Sequence, residues 1–331
     1  MAVTIADIQK LRKMTGAGLA DCKKALTEAD GDIEKAIELV RERGLAIAAK
    51  RSDRETSNGC VLVKKVNDFA AIIALKCETD FVANGADFIK LTSDILDAAI
   101  AAKGHTLDEV KALALGASDV QAAVTQRSGI TGEKMELDGY NVLEGDNIEV
   151  YDHMNKHTLC TMVQLNENNE EAGHKVAMQV AAMRPVALDE SSVSEETKKT
   201  ELEVAVAKTK EELVEKAVNA ALKKAGINPA HVDSEDHIES NTKKGWLTPE
   251  QAEEARNIKK TVGEEKAASL NPTMIQNIAN GRLAKFFKEN CLVDQEFQFG
   301  DGDKQTVAQY LAAQSKDLKI TAYKRFTLAA E

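Results

Sequence analysis

The chain has 331 residues, 43% of them hydrophobic and only four of them proline, so it can bury a sizeable core and divide into two or three domains. Aromatic residues make up only 4%, which weakens the case for a large aromatic-lined pocket, and a formal net charge of −11 opposes non-specific association with nucleic acid. The cysteines Cys22, Cys60, Cys77, Cys160 and Cys291 form no Cys-x-x-Cys pair and read as reduced, mostly buried thiols.

The first residues carry neither a basic stretch nor an apolar one of signal-peptide type, and no apolar run approaches the length of a membrane span, so a cytoplasmic protein is expected. Residues 4–43 then read as three short helices. Ile5, Ile8, Leu11 and Met14 repeat at helical spacing behind a Thr4 cap; Leu19, Cys22, Ala25 and Leu26 follow; Ile33, Ala36, Ile37 and Val40 make a third stripe that is expected to stop at Gly44. Residues 1–50 are thus a three-helix bundle, and the glycines of the loop Thr15-Gly16-Ala17-Gly18 allow close helix approach. Residues 51–59 mix charge with turn formers and read as a linker, with Lys50, Arg51 and Arg54 as a solvated tether or, as the second reading, contacts to an acidic partner surface.

Alternation at Val61, Val63 and Val66, a turn at Asn67-Asp68 and the apolar run from Phe69 to Cys77 predict a hairpin. It leads into Glu78-Thr79-Asp80-Phe81-Val82-Ala83-Asn84. Turn and cap chemistry accounts for Thr79 and Asp80; it does not call for Phe81. Phe88, Leu91, Ile95, Leu96 and Ala99 mark a helix that packs on the sheet, and residues 104–135 read as small helices. Strand, strand, polar loop and helix then recur from Ile148 to Met183, with Asn166 to Gly173 in place of the Asp-Phe tip. Two related α+β subdomains follow from this: 60–140, carrying the tip, and 141–187 together with 271–331.

From 188 to 270 the composition turns to Lys, Glu and Ala. Leu202, Val206, Leu213, Ala217 and Ala220 form a helical stripe, and Thr248-Pro249-Glu250-Gln251 is a capping box, so an inserted antiparallel helical hairpin of coiled-coil type is expected. The chain then returns to the sheet, with strands at Gln295 to Phe299 and Leu318 to Leu328. The fold class is α+β.

Several of these stretches resemble the elongation factor Ts family. Leu11-Arg12-Lys13-Met14-Thr15-Gly16-Ala17-Gly18 with Asp21-Cys22-Lys23-Lys24-Ala25-Leu26 is similar to its N-terminal signature, and Thr79-Asp80-Phe81-Val82-Ala83 to its Thr-Asp-Phe-Val-Ala motif. Tyr151-Asp152-His153, the helix from His174 to Ala182 and Asn280-Gly281-Arg282 continue the likeness. The resemblance implies a bundle of ubiquitin-associated type and a guanine-nucleotide exchange factor for elongation factor Tu. Asp80, Phe81, Val82 and Ala83 would enter the partner GTPase and displace its magnesium ion. Arg12, Leu19, Ala20 and His153 would supply supporting contacts. No cofactor or metal of the chain's own and no direct nucleic-acid contact are expected; self-association through the core or the arm stays open.

The chain has no Gly-x-x-x-x-Gly-Lys-Ser/Thr loop, no Gly-x-Ser-x-Gly and no His-Glu-x-x-His. His153 and His157 lack partners at a convincing metal-ligand spacing. Two other classes remain as alternatives: a non-catalytic scaffold of ubiquitin-associated and coiled-coil type, and an enzyme using Asp80, Glu78 or His153 as acid or base.

Overall fold

Thr4 and Asp7 cap each other reciprocally at the start of helix α1 (Ile5–Thr15), which ends at Gly16 with φ 71°. Helices α2 (Leu19–Glu28) and α3 (Ile33–Ala49) complete the bundle, whose core is Leu11, Cys22, Ala25, Leu26, Ala36 and Val40. The molecule is seen as a computed structural model that describes residues 3–51, 53–300, 302 and 304–329. Ile5 and Met14, placed in the buried stripe by their spacing, are exposed, because α1 turns only Leu11 and Thr15 fully inward. Nor does Gly44 end the third helix. It is a packing residue: a Cβ on Gly129 would lie 2.2 Å from Gly44 Cα, so the missing side chains let two helices touch backbone to backbone.

Strands β1 (Asn58–Val66) and β2 (Phe69–Cys77) pair antiparallel around Asn67-Asp68, with Val66 opposite Phe69. Asn67 takes the left-handed backbone (φ 54°) that such a tight turn requires. Next come α4 (Asp80–Ala83), α5 (Ala86–Ala102), α6 (Leu107–Lys111), the short strands β3 (Ala114–Leu115) and β4 (Ser118–Asp119), and α7 (Val120–Thr131), which carries Gly129. Strand β5 (Met135–Glu144) returns alongside β2 and gives a sheet of order β1-β2-β5. Phe69, Ile73, Leu75, Phe88, Ile95 and Val124 fill the space between this sheet and its helices.

Strands β6 (Ile148–Asp152) and β7 (Leu159–Leu165) and helix α8 (Glu170–Met183) follow. Contacts then gather residues 189–294 into a separate helical body. It holds α9 (Glu195–Lys224), α10 (Glu235–Lys243), α11 (Pro249–Ala268) and α12 (Pro272–Asn290). Two expectations are corrected here. Residues 271–290 do not return to the sheet: they form α12, which packs on α9 as α11 does, and Arg282 bonds Glu212 of α9 through its two terminal guanidinium nitrogens. The arm is therefore more than a two-helix hairpin. The fully buried positions of α9 are Ala205, Thr209, Val218 and Leu222, while Leu202, Val206, Leu213 and Ala217 are half-buried and Ala220 is exposed. A helix held between two neighbours divides its burial over two faces.

Helix α13 (Val307–Gln314) and strand β8 (Ile320–Thr327) close the chain, and β8 joins a second sheet of order β6-β7-β8. No strand forms at Gln295 to Phe299 beyond one bridge, Glu296 to Thr306. The buried Gln179 side chain takes the place of a neighbouring strand, donating to Glu296 O (3.0 Å) and accepting from Gln298 N (3.0 Å).

In each three-stranded sheet the hairpin's second strand lies in the middle and carries the register shift, at Ala74/Leu75 and at Gln164/Leu165. The sheets pack face to face through Val61, Ala70, Ile72, Leu143, Ile148, Cys160 and Met162. All five cysteines are free and buried. Among the described residues no helix is long and apolar enough to cross a membrane.

Candidate functional site

The Asp80-Phe81 turn follows β2 directly and is held on every side. Cys77 Sγ donates to Thr79 O (3.2 Å); burial pushes this thiol up to about 12. Asn58 Nδ2, from the start of β1, donates to Glu78 O (2.9 Å). The Glu78 carboxylate accepts from Lys134 N (2.6 Å) and from Arg54 Nη1 (2.9 Å). Those donors, the Lys134 backbone N–H first, hold it below the usual carboxylate range. Thr79 caps α4 by accepting from Val82 N (3.3 Å). Glu133 accepts in turn from Thr79 N (3.1 Å) and Thr79 Oγ1 (2.6 Å). Past the tip, Asn84 donates to Asp80 O from both its side chain (2.8 Å) and its backbone (3.0 Å).

Ala83 is buried in the first sheet's core and Val82 packs half-buried against it. Asp80 is exposed, and Phe81 is 87% exposed. The four residues named from sequence thus divide into two that anchor the turn and two that it displays. Arg54, read from sequence as part of a solvated tether, is instead a brace. A turn with its cap, its preceding carboxylate and its exit all bonded has little freedom to lose when it meets another surface. As an acid or base, Glu78 is poorly placed, since its carboxylate is committed to Lys134 and Arg54.

The other expected site residues stand on different elements. Arg12 lies exposed in the last turn of α1, and Leu19 and Ala20 are exposed at the first two positions of α2, so these three flank the Thr15–Gly18 loop. His153 sits in the turn after β6, half-buried. Its Nδ1 and Tyr151 Oη share a hydrogen bond of 3.2 Å, and Tyr151 is edge-on to both His153 (5.8 Å) and His174 (5.4 Å). His157 bonds Asp152. Among the described residues no group of three or more His, Cys, Asp or Glu side chains could hold a metal.

The braces Asn58, Glu133 and Lys134 went unread in the sequence. Thr79 and Glu133 are 54 positions apart and no local spacing links them; only the placement of β5 beside β2 brings the Glu133 loop to the tip.

A family described as Elongation factor TS matches residues 78–330. Over the full length of both chains, the sequence is 62% identical to an elongation factor Ts from Parabacteroides distasonis. It is 63% identical to one from Bacteroides fragilis and 40% identical to one from Porphyromonas gingivalis, again with 100% of each chain covered.

Proposed function

The chain belongs to the elongation factor Ts family, a family of translation elongation factors, and from that membership we propose that it is a guanine-nucleotide exchange factor for elongation factor Tu. It binds the GDP-loaded GTPase in the cytoplasm and promotes GDP release by displacing the magnesium ion. The observation that carries this reading is Phe81, 87% exposed on a turn braced from three other segments. A single exposed apolar residue is ordinary on a protein surface. One fixed by so many bonds to its neighbours, with a free carboxylate beside it, is suited to entering another surface.

Exchange requires no covalent step by this chain. A factor that prefers the empty GTPase to the loaded one weakens nucleotide binding by the same ratio, by linkage. Asp80 brings negative charge to the place where the partner's magnesium and phosphates meet, and Phe81 fills the space beside it. Burying the ring contributes roughly 1.5–3 kcal/mol, or about one to two decades in affinity. The wedge therefore needs other contacts to hold it, and we assign these to Arg12, Leu19 and Ala20 on the bundle and to His153.

The test is the release of a fluorescent GDP from elongation factor Tu. The protein should accelerate it; Phe81→Ala should slow release about tenfold or more while leaving the thermal midpoint unchanged. Asp80→Ala should act in the same direction, with a deficit that shrinks as free magnesium is lowered. Unchanged release, or a Phe81→Ala variant that does not fold, would make Phe81 a structural residue and remove the reading's main support.

A further inference from the structure

Between β6 and β7 the backbone is left-handed at Met154 (φ 57°), Asn155 (φ 54°) and His157 (φ 56°). Asn, and to a lesser degree His, tolerates this region; a long apolar side chain rarely enters it, and glycine would do so without cost. Met154 returns little burial to the fold, because it is 64% exposed.

The turn is nevertheless held at both ends. Asp152 bonds His157 Nδ1 and also accepts the His157 backbone N–H (3.2 Å). The His157 carbonyl accepts from Val61 N on β1 (2.7 Å), and Lys156 N donates to His153 O (3.2 Å). Backbone strain that the surroundings over-determine, at a residue whose side chain stands in water, points to use of that side chain. Met154 also adjoins His153, the proposed second contact.

We propose that Met154 is itself a contact for the partner GTPase and that Asp152 and His157 are positioning residues that hold it, with His153, in the presented geometry. The inference rests on the exchange reading. A thioether on a flexible stem suits a shallow apolar depression that need not be sharply shaped.

The experiment titrates each variant against elongation factor Tu carrying fluorescent GDP and separates the half-saturating concentration from the maximal release rate. Met154→Gly should raise the half-saturating concentration about tenfold with the maximal rate unchanged. Its thermal midpoint should stay level or rise by up to about 2 °C, since strain is removed. Asp152→Asn should weaken half-saturation less, and adding it to Met154→Gly should cause little further loss, because both act through one side chain. Unchanged half-saturation in Met154→Gly, while Phe81→Ala still slows release, would overturn this inference and leave the exchange reading standing. A fall in the Met154→Gly midpoint, or fully additive losses, would also overturn it by making the turn structural. Failure of the wild-type protein to accelerate release would remove the exchange reading and this inference with it.

Discussion

Glu133 holds Thr79 by two hydrogen bonds, one to its backbone N–H and one to its hydroxyl, across 54 positions of chain. The carboxylate reaches the cap of α4 from the loop that joins α7 to β5, so the orientation of the exposed Phe81 depends on a residue outside its own hairpin. Hydrogen bonds to a charged acceptor contribute about 1.5–3 kcal/mol where sheltered and less on an exposed turn. Glu133→Ala should therefore lower the thermal midpoint by no more than about 3 °C and slow GDP release several-fold at saturating factor. Stopped-flow release beside a thermal melt reads both; lost stability with undiminished release would confine Glu133 to a structural role.

The Glu78 carboxylate carries a pH dependence whose sign is fixed. Hydrogen bonds from Lys134 N, and then Arg54, hold it below its ordinary range. A carboxylate of lower pKa in the folded state stabilises that state above its unfolded value, roughly 4.3. The contribution is lost as pH falls through the folded value. Melting between pH 7 and pH 3 should show stability that is flat near neutrality and falls on the acid side. Glu78→Gln should be less stable at pH 7 and show a shallower acid limb; an identical limb in the variant would mean Glu78 is not its source.

Gly129→Ala tests whether the bundle is docked or tethered. The new Cβ would lie 2.2 Å from Gly44 Cα and 2.8 Å from Gly44 C, backbone atoms that yield only if α3 shifts against α7. Overpacking of this kind costs about 1–3 kcal/mol. The midpoint should drop by several degrees, and the half-saturating concentration of partner should rise through displacement of Arg12, Leu19 and Ala20. A variant equal to wild type in both would show that the two helices do not need this contact.

Excision of residues 189–294 with a short Gly-Ser bridge should leave the two sheets folded. The chain leaves after Leu188 and returns at Gln295, whose Nε2 donates to Met183 O (3.2 Å) at the end of α8, so the returning chain is fixed a few residues before the point of exit. Loop closure changes slowly with loop length. A cooperative melt and retained GDP release are the expected outcomes; a folded variant without release would place partner contacts on the helical body.

What could be read in the sequence was what short-range pattern encodes. The Thr4 cap, the Thr248-Gln251 capping box, the Asn67-Asp68 turn and the alternation around it are each set within a few residues, and each is present. Long-range pairing left little local trace. Strand β5 carries an ordinary polar alternation and its partner lies some sixty residues earlier; Gly44 looks like a helix stop until Gly129 is opposite it. The Asn280-Gly281-Arg282 segment contains a glycine yet lies inside α12, where nothing within 4 Å opposes a Cβ at Gly281. At the site, the motif marked Asp80 and Phe81, whereas the supports Asn58, Glu133 and Lys134 became evident only once the sheet was assembled.

The buried thiols give the molecule native reporters of opening. Cys22 lies in the bundle, Cys60 and Cys77 in the first sheet, Cys160 in the second and Cys291 in the helical body. Burial raises Cys60 to about 12, Cys291 to about 11 and Cys160 further still, so at these three the reactive thiolate is scarce while the surroundings stay closed. An alkylating reagent should modify each cysteine only as fast as its surroundings open. Peptide-resolved labelling would then time the opening of the bundle, the sheets and the helices separately in one unaltered sample.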